Sequence, residues 1–239
     1  MGRIARGVLA AVQADPRFTV TLLADGAAAR ALRAEFPNLP IEPLGRVERR
    51  GAYDVVWFPF NGMRRRARMP SVVTIHDAFA FSEPARGLVA RAREQQPIRR
   101  AARNADRIVA DSHWAAGELA RTLGIAPERI AVVRPEPDRF FFPALDEALP
   151  QALAHTRFAL VVGAGEPRKN VALALESCAR ALHSGEPLIV VGTLARNERA
   201  LARRLRVRCS EVSASDALLR TLYRRAEVVL VPSRAEGFG

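Results

Sequence analysis

The amino-acid sequence predicts an α/β protein made of two doubly wound, parallel-sheet domains. Three observations carry that expectation. Short apolar runs of strand type alternate with helical segments along most of the 239 residues. The rhythm breaks at Pro135–Pro150, a proline-rich stretch holding Phe140, Phe141 and Phe142, and then restarts. In the restarted half, Val161–Asn170 reads as strand, glycine-rich turn and helix start.

The first half opens with a helix over Ile4–Gln13 and, after Asp15-Pro16, a strand over Phe18–Leu23. Gly26 leads into an alanine-rich helix ending near Phe36. Asp54–Phe58 is a buried strand, and Pro59–Met69 a basic loop. Val72–Ile75 is the next strand and ends at His76-Asp77. A long basic helix, Gly87–Asn104, precedes the strand Arg107–Ala110. Ser112 is placed to cap a helix running to Leu123, and Ile130–Val133 closes the half.

In the second half the strands are Phe158–Val162, Leu188–Val191, a weaker Val207–Val212, and Val228–Val231. Helices over Val171–Leu182, Glu198–Arg206 and Asp216–Arg225 lie between them. Asn170 is expected to cap the first, and Ser213 or Ser215 the last. The domains are therefore read as 1–136 and 157–239, joined by a linker over 137–156. The first domain opens on a helix without a preceding strand, and the last residues form a loop, so a piece of a longer chain is expected, incomplete at both ends.

A hydrophobic content of 49% with 26% charged residues excludes a disordered chain. No run approaches the roughly 18 apolar residues of a membrane span, and the first residues lack a secretory apolar segment. Cys178 and Cys209 have no ligand spacing, so a cytoplasmic setting is expected, at most peripheral to the inner face of a membrane. The net charge of +12 invites a nucleic-acid or membrane reading. Arginine is spread along the whole chain, however, and only two clusters stand out. Arg64-Arg65-Arg66 with Arg68, and Arg99-Arg100 with Arg103, suit anionic lipid headgroups or a phosphate-bearing acceptor, or simply a solvated face.

Against all that arginine the chain has a single lysine, Lys169. It sits where a glycine-rich turn meets a helix, a natural anion site, and a compact ammonium is called for where a planar fork does not fit. Ligands of open parallel sheets bind beyond the carboxyl ends of the strands. That rule gathers Asn61-Gly62, His76-Asp77 and Asp111-Ser112 from the first half. From the second it gathers Gly163–Asn170, Gly192-Thr193 and Ser233–Gly239, so that two rims are expected to face a cleft.

These motifs resemble those of family-four retaining glycosyltransferases, which have two Rossmann-like domains in the B-type arrangement. The donor half is matched by Val162-Gly163 with Glu166-Pro167-Arg168-Lys169-Asn170. It is matched again by Val212 with Leu218, Leu222, Tyr223 and Ala226, then Pro232-Ser233-Arg234-Ala235-Glu236-Gly237-Phe238-Gly239. Thr74-Ile75-His76-Asp77 and Ala105–Ser112 resemble the acceptor half. The resemblance implies transfer of a hexose, mannose being one candidate, from a nucleotide diphosphate sugar to a glycan or lipid-linked acceptor, with retention and without a metal or other cofactor. It implies that Lys169, with Arg168, meets the diphosphate. Gly163 admits it closely, and Glu236 holds sugar hydroxyls. The amides of Phe238 and Gly239 help hold sugar and phosphate, and the backbone of Val212 flanks the base. His76 is implied near the donor sugar as a hydrogen-bonding residue and not a general base.

Some positions depart from the family pattern. Ala164 stands where many members carry arginine, and Arg134-Pro135-Glu136-Pro137-Asp138 replaces a common Asn-Gly. A second glutamate, expected beyond Glu236 to hold the ribose, falls past Gly239, so the piece alone is expected to be poorly active or inactive. Two other readings fit the composition. A sugar-nucleotide epimerase shares the architecture but lacks acid and base residues here. A basic nucleic-acid binder needs aromatic stacking among the arginines, and only Trp114 is placed for it.

Overall fold

The computed structural model describes residues 2–82, 87–136, 148–149, 151–154, 156–181 and 185–238. The expected linker phenylalanines Phe140, Phe141 and Phe142, and Gly239 of the expected site, lie outside them. The chain divides into two compact units, Met1–Asp138 with Gly237–Gly239, and Arg139–Glu236.

In the first unit the elements are α1 (Arg3–Ala14), β1 (Leu22–Leu23), α2 (Gly26–Glu35), β2 (Ile41–Glu42), β3 (Val56–Phe58) and β4 (Ser71–Thr74). They continue with α3 (Phe79–Ser82), α4 (Leu88–Asn104), β5 (Arg107–Ala110), α5 (His113–Leu123) and β6 (Ile130–Val132). Strands β3, β4, β5 and β6 form a parallel sheet in that order, and β1 and β2 form a separate parallel pair. One sheet face is sealed by Val73, Ile75 and Ile108 packed with Ile98 and Ala101 of α4 and Leu119 of α5. A second cluster joins Val56 to Val47 and Met69. Asp106 fastens the start of β4, its carboxylate accepting the backbone N–H and the hydroxyl of Ser71 at 2.8 and 2.9 Å.

The expected strand over Phe18–Leu23 is reduced to Leu22–Leu23. Its partner β2 has only two residues, too short to leave a period in the sequence. The one-turn helix α3 was also not expected. It starts because the Asp77 carboxylate accepts the Phe79 N–H at 3.0 Å.

The Pro59–Met69 loop is pinned from both ends. Met63 is fully buried and Met69 nearly so, which for Met63 contributes about 2 kcal/mol. Gly62 sits at φ +111° against α4, and the Met63 N–H donates to the Pro97 carbonyl at 3.1 Å. A Cβ on Gly62 would lie 2.4 Å from the Pro97 carbonyl carbon. Gly62→Ala is therefore expected to cost about 2 kcal/mol and lower Tm by about 6 °C, read by calorimetry. An unchanged Tm would show that this loop is not locked to α4.

The second unit holds β7 (Ala159–Ala164), α6 (Val171–Ala181), β8 (Leu188–Gly192), α7 (Arg196–Arg204), β9 (Cys209–Val212), α8 (Asp216–Arg225) and β10 (Val228–Leu230). Its parallel sheet runs β10-β7-β8-β9. Two-residue periodicity is visible in the packing. Ala159 and Val161 of β7, with Leu188 and Val190 of β8, meet Leu175 of α6 and Ala202 of α7. Leu160 and Ile189 point the other way, onto Phe158 and Leu222. Both faces are covered, which is why these strands read as unbroken apolar runs. Ser215, not Ser213, caps α8, its hydroxyl accepting the Leu218 N–H at 3.1 Å. Helix α7 starts before the expected Glu198, whose carboxylate accepts the Ala195 N–H at 2.7 Å. Among the described residues no helix is long and apolar enough to cross a membrane.

Candidate active site

In the second unit the carboxyl end of β7 carries a charged cluster. The strand was expected to give way to a turn after Val162, but it runs to Ala164 through an irregularity between Val162 and Ala164. The cause lies next door: Gly192 sits at φ +120°, and a Cβ there would come 2.8 Å from the Ala164 carbonyl oxygen. After Gly165 a single 3-10 turn, Pro167–Lys169, precedes α6. Asn170, expected as the helix cap, has a left-handed backbone (φ 51°), and its side-chain amide donates to the Pro232 carbonyl at 3.2 Å. The Arg234 N–H donates to the Arg168 carbonyl at 2.9 Å. These two bonds tie the segment after β10 alongside the turn after β7.

That tie brings Glu236 to the cations. Lys169 Nζ lies 2.7 Å from Glu236 Oε1, and an Arg168 guanidinium nitrogen 2.9 Å from Oε2. Arg168 also pairs with Glu166 at 2.7 Å. All three central side chains are about one-fifth exposed, so charge is concentrated in a partly desolvated place. Burial pushes the Glu236 pKa up. Hydrogen bonds from Lys169 and Ser233, and the charges of Lys169 and Arg168, outweigh it and leave the carboxyl below its ordinary value. Gly163, at φ +94°, makes room for the lysine stem: a Cβ there would lie 3.1 Å from Lys169 Cε. The structure thus brings Gly163, Arg168, Lys169 and Glu236 together. Val212 ends β9, two strands away from β7, and its side chain packs into the cluster around Leu160 and Leu222.

In the first unit His76 follows β4. Its backbone N–H donates to Asn61 Oδ1 at 2.8 Å, and its Nδ1 lies 2.7 Å from Asp111 Oδ2, just past β5. Asp111 is buried. The His76 pKa is raised first by the hydrogen bond to Asp111, against burial, with the charges of Asp111 and Asp77 and the Pro59 carbonyl adding to it. The Ser112 hydroxyl caps α5, accepting the Ala115 N–H at 3.0 Å, and donates to the Gly237 carbonyl at 2.5 Å. Gly237, which groups with this unit, leaves no space for a side chain: a Cβ would lie 2.4 Å from the His76 carbonyl oxygen. Phe238 is half exposed. Asp111 had been placed at a strand end in the sequence without a role, and the residue that gives it one lies 35 positions away.

Comparison with known proteins adds one decisive finding. A family model described as Glycosyltransferase Family 4 matches residues 9–135, more than half of the chain. The chain belongs to glycosyltransferase family 4. No curated protein matches it. Among solved structures, Anabaena Alr3699/HepE in complex with UDP and glucose superposes with a TM-score of 0.68 at 18% identity. That match covers 100% of this chain and 73% of HepE. WaaG, a glycosyltransferase involved in lipopolysaccharide biosynthesis, gives 0.63 at 19% identity, covering 99% of this chain and 73% of WaaG. Sucrose-phosphate synthase from Thermosynechococcus elongatus gives 0.59 at 17%, covering 95% and 60%. At such identities the likeness fixes the fold, which this family 4 chain shares with those glycosyltransferases.

The family 4 match lies within the first unit, the one holding His76, Asp111 and the basic loop. The cluster of Lys169, Arg168 and Glu236 lies outside the matched residues.

Proposed function

We propose that this chain binds a nucleotide diphosphate sugar and transfers its hexose, with retention, to a glycan or lipid-linked acceptor. The carrying observation is the cluster of Lys169, Arg168 and Glu236 at the carboxyl end of β7, in a family 4 glycosyltransferase. Two cations that share Glu236, with the more exposed Glu166 on the outer side of Arg168, suit a ligand with a diphosphate at one end and hydroxyls at the other. The solution of HepE with UDP-glucose supports a nucleotide-sugar donor.

In this reading the bond between the anomeric carbon and the diphosphate oxygen breaks, and the charge gathering on that oxygen is met by Lys169 Nζ and the Arg168 guanidinium. Glu236 accepts from sugar hydroxyls. The acceptor oxygen attacks from the side the diphosphate leaves, and its proton passes to the departing phosphate, so the configuration is kept and no enzyme carboxylate forms a covalent bond. His76 acts as a cationic hydrogen-bonding residue. Asp111, Asp77 and the Pro59 carbonyl all stabilise its protonated form, which has no lone pair to take a proton. The backbone of Val212 flanks the base.

The test incubates the full-length protein with UDP-glucose or GDP-mannose and a sugar acceptor and follows both the nucleoside diphosphate and the product anomer by NMR. Release of the diphosphate with an α-linked product is expected from these α-linked donors. A donor converted to its epimer without an acceptor would instead mark an epimerase. A β-linked product would remove retention from the proposal.

A further inference from the structure

A second charged feature lies in the first unit. A recess of about 650 Å³ is walled by Asp25, Glu48, Arg64, Arg65, Arg66 and Arg100. Asp25 follows β1, and Glu48 ends the 3-10 turn that follows β2, so the recess sits off the carboxyl ends of that parallel pair. Open parallel sheets bind their ligands there.

The wall carries two positive charges in excess, and its carboxylates are partly committed. Asp25 Oδ1 accepts the Leu44 N–H at 3.1 Å, and Glu48 meets Arg65 only loosely, at 3.4 Å. Among the described residues Arg64 and Arg66 have no carboxylate partner. The backbone that carries the arginines is nevertheless held in place. Met63 and Met69 bury themselves on either side of them, the Arg68 N–H donates to the Val47 carbonyl at 2.9 Å, and the Arg100 guanidinium donates to the Arg64 carbonyl. The backbone share of the ordering cost of gripping an anion is thus met on folding, and the side-chain share is met on binding.

An excess of two positive charges matches a phosphomonoester, which carries about −1.5 to −2 near neutral pH. Guanidinium forks suit its oxygens. A bare phosphate would leave most of the space empty, since recesses of about 300–1,000 Å³ hold whole small ligands. We propose that this recess binds a phosphate group borne by a sugar or a lipid headgroup. That the ligand is the acceptor rests on the transfer reaction proposed above; that the recess takes phosphate does not.

The test compares the full chain with an Arg64→Ser, Arg66→Ser double variant, which changes two exposed side chains and no fold contact. Glucose 6-phosphate is titrated by calorimetry. Phosphatidylcholine vesicles with and without phosphatidic acid are tested by co-sedimentation, and UDP by thermal shift. Binding of glucose 6-phosphate, or sedimentation only with phosphatidic acid, is expected to weaken at least about tenfold in the variant, with the UDP response unchanged. The first result identifies a soluble phosphosugar, the second a lipid headgroup. Failure of both probes with the wild type, or equal binding by both proteins, would overturn the proposal. Loss of the UDP response from both proteins, with the phosphate difference kept, would remove the transfer reading and leave a phosphate site.

Discussion

Replacing Lys169 by methionine is expected to lower kcat/KM for the donor by about a thousandfold, with little change in Tm. Methionine keeps an unbranched stem over Gly163, where the lysine Cγ and Cδ both lie 3.4 Å from the glycine's absent Cβ, so packing survives and only the ammonium is lost. The loss is large because the cation sits in a place only about one-fifth exposed and is already aimed: its Nζ is 2.7 Å from Glu236 Oε1. Lys169→Arg is expected to recover little, since the longer, planar guanidinium cannot place a point charge where the ammonium sits at the end of a stem packed over Gly163. A built-in control comes from Glu236. Its depressed pKa gives stability that is present above the ordinary carboxyl value of 4.5 and is lost as pH falls through the depressed one. Lys169→Met removes a cause of that depression, so the acid limb of the stability curve flattens. Initial rates across donor concentrations, with pH-dependent denaturation, check both. Activity within threefold of wild type would sink the diphosphate role.

The sequence was most legible where local and global signals agreed. Arg107–Ala110 and Asp216–Arg225 were placed to the residue, the first by a short apolar run that buries Ile108 and Ala110 and the second by a serine cap and an acidic first turn. Legibility failed where structure depends on a partner far away in the chain. Two-residue β2 exists because β1 pairs with it. The strand β7 outlasts its apolar run because Gly192 lets β8 lie close to Ala164. The expected helix over Gly87–Asn104 does run through Pro97, but the bond from the Met63 N–H to the Pro97 carbonyl joins residues 34 positions apart and leaves no local signal.

The candidate site divides in the same way. Lys169 stood out by composition and Glu236 by its place after β10, but their ion pair needs the two backbone ties from Asn170 and Arg234, which no spacing rule records. Recognition of His76 rested on its position after a strand. What sets its chemistry is Asp111, and a carboxylate followed by a serine reads first as a helix start. The expected Asn170 cap shows the opposite error, a strong local rule overridden because the left-handed backbone puts the amide to use elsewhere.

The second large effect concerns that pair. His76→Ala is expected to lower kcat/KM by about a hundredfold, and Asp111→Asn to act through His76 in a way that pH exposes. The His76 pKa is raised above its ordinary value of 6.5, chiefly by the Asp111 hydrogen bond. A raised folded-state pKa contributes stability that is complete below the unfolded value and disappears as pH rises through the folded one. If the imidazolium is the active form, activity falls over that same upper range. Asp111→Asn keeps the shape but removes the charge, so the His76 midpoint read by NMR moves down and the alkaline limb of kcat/KM moves down with it. A purely structural Asp111 would lower Tm and move the NMR midpoint while leaving the kcat/KM limb where it was. A general-base His76 would reverse the profile, with activity rising as the imidazole loses its proton, and Asp111→Asn would then extend activity to lower pH. The direction in which the limb moves therefore separates a cationic hydrogen-bonding role from proton abstraction, and it does so without knowledge of the acceptor.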